Sequence, residues 1–422
     1  MADSCLQKTS KRILLQLMHI LYNIGIFLLG IVMKSSALLH PKAKEWIIGR
    51  RNFFKELPSV KNKEVVWFHC ASLGEFDQGL PLMEKIKLKK PNVFLLVTFY
   101  SPSGMNHYHK RNHSADYVCY LPLDTSSNAN KFIQHFRPSQ AYFIKYEFWS
   151  NYIFTAKKNG AMLFNISGIF REDHRFFKWY GSFFRKTLKQ FDWFFVQNEK
   201  SSHLLQSIGL KNVSITGDNR YDRVIENKKK CPENQIISKF KNNQRLIIIG
   251  SSWPEDESII LPWILKNNAK VLIAPHNVDQ KHIEQLKKNL PNAVQYSKAL
   301  LADIQNTRVM ILDTIGHLAS AYKYGTIAYV GGGFSGSLHN ILEPAVFGLP
   351  VLFGPKFDRF PEAQAFIDNG FGFSVSTTKE FIFTLDKIDK TYSEISEKEI
   401  SFIQENTGAS DKIILKINSI SN

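Results

Sequence analysis

The chain has 422 residues, of which 44% are apolar and 22% charged; this excludes a disordered polyelectrolyte and suffices for two sizeable cores. Its 54 Lys and Arg against 37 Asp and Glu give a formal charge of +17. Such a balance favours polyanionic partners: nucleic acid, phosphorylated substrates or an anionic membrane face. Cys5, Cys70, Cys119 and Cys231 stand far apart with no C-x-x-C pair, so neither a zinc site nor a disulfide framework is suggested, and a reducing compartment fits.

The first element is the uncharged apolar run Ile13 to Met33, flanked by Lys8, Lys11, Arg12 and Lys34. It matches the roughly 20 residues that a helix needs to span a bilayer. Gln16, His19 and Asn23 interrupt it every three or four positions, which suits an interfacial helix lying along one leaflet at least as well. No A-x-A-like cleavage site follows, and the run exceeds a usual signal-peptide core.

From residue 65 onward, short runs rich in Val, Ile and Phe alternate with longer amphipathic stretches, the pattern of an α/β fold. Strands are predicted at Val65–Cys70, Val93–Phe99, Tyr117–Leu121, Ala141–Ile144, Met162–Ile166, Trp193–Val196 and Val213–Thr216. A polar stretch, Glu226–Asn243, with Lys228, Lys229 and Lys230, reads as a linker. A second series follows at Leu246–Gly250, Lys270–Ala274, Val309–Leu312, Thr326–Val330, Pro350–Phe353 and Phe373–Val375, and the tail after Thr378 is helical. The expected division is an anchor over 1–40, an α/β domain over 41–222, a linker over 223–243 and a second α/β domain over 244–422. Ligands of such parallel sheets sit beyond the carboxyl ends of the strands, so the strand-end motifs carry the functional information.

In the first half, His69-Cys70-Ala71-Ser72-Leu73-Gly74-Glu75-Phe76 leads from strand to helix. Glu75 in the first helical turn either complements the helix dipole or acts as a general base. Glu147, in Lys145-Tyr146-Glu147-Phe148-Trp149, follows another strand and has unusually aromatic neighbours. That arrangement fits a polyhydroxylated ligand, although a capped helix start is equally plausible. Thr98 to Gly104 forms a polar turn whose amides could bind an anion.

In the second half, Gly331-Gly332-Gly333-Phe334-Ser335-Gly336 follows a strand and precedes His339-Asn340-Ile341-Leu342-Glu343-Pro344. The glycine spacing formally meets G-x-G-x-x-G, but the loop comes late in the chain, and no Gly-Lys-Ser/Thr follows, so neither a dinucleotide fingerprint nor a P-loop fits. A loop that exposes amides to phosphate, with Glu343 able to accept both hydroxyls of a ribose, describes a nucleotide-sugar site; a dipole-compensating carboxylate is the even alternative. Ser251-Ser252-Trp253 and Pro275-His276-Asn277 follow two further strands and either complete that site or serve as ordinary turns.

Taken in order, Ala71–Glu75, Thr98–Gly104, Leu121–Asp124, Glu147–Trp149, Gly217–Asp222, Asp313–Gly316 and His339–Pro344 resemble the Kdo (3-deoxy-D-manno-octulosonic acid) transferases of lipopolysaccharide synthesis. The resemblance implies a GT-B glycosyltransferase: two Rossmann-like doubly wound domains facing a cleft, with an N-terminal membrane-associated helix on the cytoplasmic face of the inner membrane. It implies inverting transfer from CMP-Kdo to a lipid A precursor (lipid IVA), with no metal and no cofactor, at an anionic bilayer and without nucleic acid. It makes Glu75 the catalytic base and places Glu147, Ser72, Ser101 and Ser103 on the acceptor side. Arg220, Ser251, His276, Gly332, Gly333, Asn340 and Glu343 fall on the donor side, where the glycine-loop amides would stabilise the departing phosphate. Departures are His276-Asn277 where many members have R-H, Arg220-Tyr221 where they have K-F, and His317 where they have an acid. The alternatives are a GT-B enzyme using another nucleotide sugar, or a non-catalytic basic protein that binds membrane or nucleic acid.

Overall fold

The computed structural model describes residues 2–300 and 304–421, the side chains of 2–15 and 421 excepted, so the bases and Cys5 preceding the apolar run lie outside the described side chains. The chain forms two compact units, Met1–Arg223 with Gly408–Asn422, and Val224–Thr407.

The first unit is built on a seven-stranded sheet of order β3-β2-β1-β4-β5-β6-β7. Its strands are β1 (Val65–Cys70), β2 (Phe94–Phe99), β3 (Tyr117–Tyr120), β4 (Gln140–Ile144), β5 (Met162–Gly168), β6 (Trp193–Val196) and β7 (Val213–Ile215), all parallel. Every residue of β1 and β2 is buried, because helices cover both faces of the sheet. Trp67, Phe132, Phe143 and Tyr152 pack on one face, and Phe68, Tyr142, Phe164 and Phe76 on the other. Truncating one of these rings, as in Phe68→Ala, would cost about 3–5 kcal/mol.

The second unit repeats the plan with order β10-β11-β9-β8-β12-β13-β14. Here β8 is Leu246–Ser252, β9 Lys270–Pro275, β10 Val294–Gln295, β11 Val309–Ile311, β12 Ile327–Val330, β13 Val351–Phe353 and β14 Gly372–Ser374, again all parallel. Thirteen of these fourteen strands match predicted runs; β10, only two residues long, carries no readable pattern. The strand order reverses between β1 and β4 in the first sheet and between β8 and β12 in the second. Ligand crevices of doubly wound sheets open at such switch points.

The boundaries differ from the expected ones. Residues 223–243 are not an extended linker, because the helices Asn219–Lys229 and Gln235–Lys241 occupy most of them. The Asn234 side chain caps the second helix, accepting from Ile237 N at 3.0 Å, while Lys228 and Lys229 fall in the last turn of the first, where cations oppose the helix dipole. The tail also divides. The helix Thr378–Glu405 stays with the second unit, whereas the helix Ala409–Ser421 joins the first. Its Ile413, Ile414 and Ile417 enter the core beside Phe76, Leu80 and Met83. Asp222 secures its start, accepting from Gly408 N at 2.6 Å and Ser410 N at 2.7 Å.

The amino-terminal helix α1 (Ala2–Ser36) contains the apolar run. Its stretch Gln16–Ser36 is long and apolar enough to cross a membrane, and only 6% of its most apolar window is buried. Of the polar interruptions, Gln16 is exposed, whereas His19 and Asn23 turn inward. His19, Tyr22 and Asn23 form an inward stripe that hydrogen-bonds the first unit. Tyr22 Oη donates to buried Asp124 at 2.5 Å, His19 Nε2 meets Asn151 Oδ1 at 3.1 Å, and Asn151 Nδ2 donates to Asn23 Oδ1 at 3.0 Å.

Candidate active site

The two carboxylates singled out in the first half flank the β1/β4 switch point. After β1 the chain turns at Ser72, whose extended backbone starts helix α3 (Leu73–Lys89), and Glu75 lies in the first helical turn, 8% exposed. Glu75 Oε2 accepts a short hydrogen bond from Ala71 N. Burial and then the charge of Glu147 push the Glu75 carboxyl up to about 7, against the opposing pull of the Ala71 amide and Lys145. A carboxylate poised near neutrality suits general base catalysis.

Glu147 follows β4 and is held by its own loop. Trp149 Nε1 donates to Glu147 Oε2 at 2.9 Å and lies 3.1 Å from Nε2 of His69, a fully buried residue of β1. The other ring nitrogen of His69 meets Thr98 Oγ1 at 2.8 Å, and Thr98 also accepts from Trp67 Nε1 at 2.8 Å. The ring of Trp149 stacks on Tyr100 at 4.7 Å, and the Arg50 guanidinium lies over Tyr100 and, at 3.8 Å, over Trp46 of helix α2 (Pro41–Ile48). Arg50 donates to the carbonyls of Trp46, Tyr100 and Leu121 at 2.6–3.0 Å, so it serves as a strut. Lys145, just after β4, has φ of 58°, a left-handed backbone that costs about 1 kcal/mol or more for a residue with a Cβ. Asn165 Nδ2 stabilises that turn by donating to Lys145 O at 2.6 Å.

Of the other predicted acceptor residues, Ser101 N donates to Ala71 O at 2.9 Å, which brings the turn after β2 beside Ser72. The Ser101 and Ser103 hydroxyls share a hydrogen bond of 2.7 Å. Arg220, expected on the donor side, belongs to the first unit, where it chelates Asp218: Nε lies 2.7 Å from Oδ2, and Nη2 lies at the same distance. Asp218 also accepts from Gln78 Nε2 at 3.0 Å, on the helix that carries Glu75.

The remaining donor-side residues gather at the β8/β12 switch point of the second unit. Ser251, with a left-handed backbone of φ 54°, is the penultimate residue of β8. Beyond it Trp253 stacks on His276 at 4.2 Å, and His276 lies 4.7 Å from His339, giving a tier of three rings at the ends of β8, β9 and β12. Burial and then His276 hold the His339 imidazole down at about 4. Asn340 Nδ2 donates to Glu343 Oε1 at 3.3 Å, and Asn340 Oδ1 accepts from Leu342 N, which aligns the short helix Leu342–Ala345.

The glycine loop departs from expectation in one respect. Gly332 N donates to Asp256 Oδ2 at 3.0 Å and Gly331 N to Gly250 O at 2.9 Å, so these two amides bind the protein itself rather than facing a phosphate. The glycines are required for close packing. At Gly332, φ is 92° and a Cβ would stand 2.2 Å from Ser337 O; at Gly333 it would stand 2.5 Å from Gly354 N. Sequence reasoning missed His69, Asp218 and Asp256. The first is submerged in an apolar strand, and neither aspartate's spacing announces its long-range partner.

Two doubly wound parallel units, with polar clusters at both switch points, define a GT-B-type α/β fold. Solved structures agree on the fold: UDP-GlcNAc 2-epimerase from Neisseria meningitidis superposes with a TM-score of 0.61 at 16% identity, covering 85% of this chain and 100% of that one. The sequence is more specific. The family described as 3-Deoxy-D-manno-octulosonic-acid transferase (kdotransferase) matches residues 48–223, the span that holds the first sheet and both carboxylates. Curated 3-deoxy-D-manno-octulosonic acid transferases are similar over most of the chain. The Chlamydophila psittaci protein is 28% identical over 86% of this chain and 87% of its own length, and the Aquifex aeolicus protein 26% over 83% and 93%. The expected resemblance to the Kdo transferases is thereby borne out.

Proposed function

We propose that the protein transfers Kdo from CMP-Kdo to a lipid A precursor, lipid IVA, in lipopolysaccharide synthesis at the inner membrane. The observation that carries this reading is Glu75: a shielded carboxylate pushed up to about 7, beside Glu147, at the switch point of the unit that matches the Kdo transferase family. Glu75 takes the proton of an acceptor hydroxyl. The oxygen attacks the anomeric carbon with inversion, the bond from that carbon to the phosphate oxygen breaks, and CMP leaves with the electron pair. Glu147, fixed by Trp149, binds acceptor hydroxyls together with Ser72, Ser101 and Ser103.

On the donor side, the tier of Trp253, His276 and His339 offers a stacking surface for the cytosine ring, worth about 1–3 kcal/mol. Glu343, aligned by Asn340, accepts the ribose hydroxyls, and Ser251 contacts phosphate. Gly332 and Gly333 permit close approach of the backbone rather than supply every amide donor. Incubation with lipid IVA and candidate donors tests the proposal. Kdo-lipid formed from CMP-Kdo supports it, and turnover with UDP-sugars but none with CMP-Kdo overturns it.

A further inference from the structure

The outer face of α1 has no protein partner among the described residues: Leu17, Leu21, Ile24, Phe27, Leu28 and Ile31 are 45–65% exposed. The opposite face is docked on the first unit from His19 to Met33, about 20 Å of helix. The docking surface mixes apolar groups, among them the Phe154 and Phe183 rings against His19, with polar ones. It presents buried Asp124, Asn151 and the Ser126 hydroxyl, which donates to Asn151 Oδ1 at 3.3 Å. A helix crossing the hydrocarbon core would carry the neighbouring surface of the first unit, with its exposed Lys42, Lys44, Lys186 and Lys189, into lipid, where unhydrated charges cost several kcal/mol each.

A second exposed apolar feature lies beside α1. Trp179 is 91% and Tyr180 49% exposed, and they immediately precede the helix Ser182–Leu188, whose Phe183 packs on His19 and Tyr22 of α1 at 6.0 and 5.3 Å. Exposed Lys34, Lys42, Lys44, Lys186 and Lys189 border these elements. Apolar helix face, interfacial aromatic pair and cationic rim together fit an anionic leaflet.

We infer that α1 lies in the plane of the bilayer rather than spanning it, with its outer face and the Trp179–Tyr180 loop inserted into the same anionic leaflet as one membrane-docking surface. The inference specifies the membrane association within the proposed function, and its test needs no substrate, so failure of Kdo transfer leaves it standing.

The test places a fluorescent amino acid singly at Ile20, Phe27, Ile31 and Trp179 of the full chain and measures quenching by nitroxide lipids of known depth in phosphatidylethanolamine–phosphatidylglycerol vesicles. Equal, shallow depth at all four positions is expected. A depth gradient along α1, or no quenching at residue 179, overturns the inference. Trp179→Ser should weaken binding to the same vesicles at least about threefold while turnover with detergent-dispersed acceptor stays unchanged; unaltered vesicle affinity removes the loop from the surface.

Discussion

Glu75 and Glu147 occupy one small region, and their mutual repulsion has consequences for both rate and stability. As the proposed base, Glu75 acts only when ionised, so kcat/KM is expected to fall as pH drops below about 7. Glu147→Gln removes the repulsion, the second cause of that upward displacement, so the acid limb of the pH–rate profile should move to lower pH even as acceptor KM rises; an unmoved limb would separate the two residues. A carboxyl raised in the folded state contributes stability that is complete below its unfolded value and lost as pH rises through about 7. Glu75→Gln should therefore raise Tm at pH 8, by an amount on the order of 1–3 kcal/mol in stability, with no gain near pH 4. His69 acts through Trp149 and Glu147. His69→Phe should raise acceptor KM more than it lowers kcat, and His69→Gln should restore part of the loss. The two carboxylates are legible in the sequence because they stand just beyond apolar strands. Their supports are not, because Trp149 reads as core and His69 as strand.

Whole elements show the same division between what local pattern encodes and what tertiary contact decides. The strands of both sheets are readable because parallel strands covered on both faces become unbroken Val, Ile and Phe runs, as in β1, β2 and β8. The helix Ala409–Ser421 is readable as amphipathic, but its period names only the buried face, not the sheet that buries it; Asp222 and the β1 side of the first core settle that. For α1, polar residues at helical spacing carry no sign of whether they meet headgroups or protein. Tyr22→Phe should loosen α1, removing the hydrogen bond to Asp124 and costing about 1–2 kcal/mol; limited proteolysis around Ser35–His40 should accelerate. In the helix Thr378–Glu405, Glu399 is fully buried with neither oxygen hydrogen-bonded, and burial pushes its carboxyl well above the usual range. Such a group destabilises as pH rises above its unfolded value, so Glu399→Met should raise Tm at pH 7.5 and leave it nearly unchanged at pH 4.

For the molecule as a whole, the surplus of 17 positive charges takes on a narrower meaning beside the membrane-docking surface and the proposed phosphorylated lipid acceptor. Duplication of one sheet plan follows from the sequence, since two series of buried strands are separated by a polar stretch. The exact partition does not, because the chain returns to the first unit at Gly408 and the polar stretch folds into helices. Each unit brings its polar side chains to the reversal of its own strand order, the carboxylates at β1/β4 and the stacked rings at β8/β12, where ligands of doubly wound sheets bind. The most direct measurement is transfer from CMP-Kdo to lipid IVA by purified wild-type protein and Glu75→Gln, with mass analysis of the lipid product and calorimetric binding of CMP. Kdo-lipid from the wild type, a loss of at least about a thousandfold in Glu75→Gln and equal CMP affinity in both are expected. Wild-type turnover by Glu75→Gln would contradict the role of Glu75 as base.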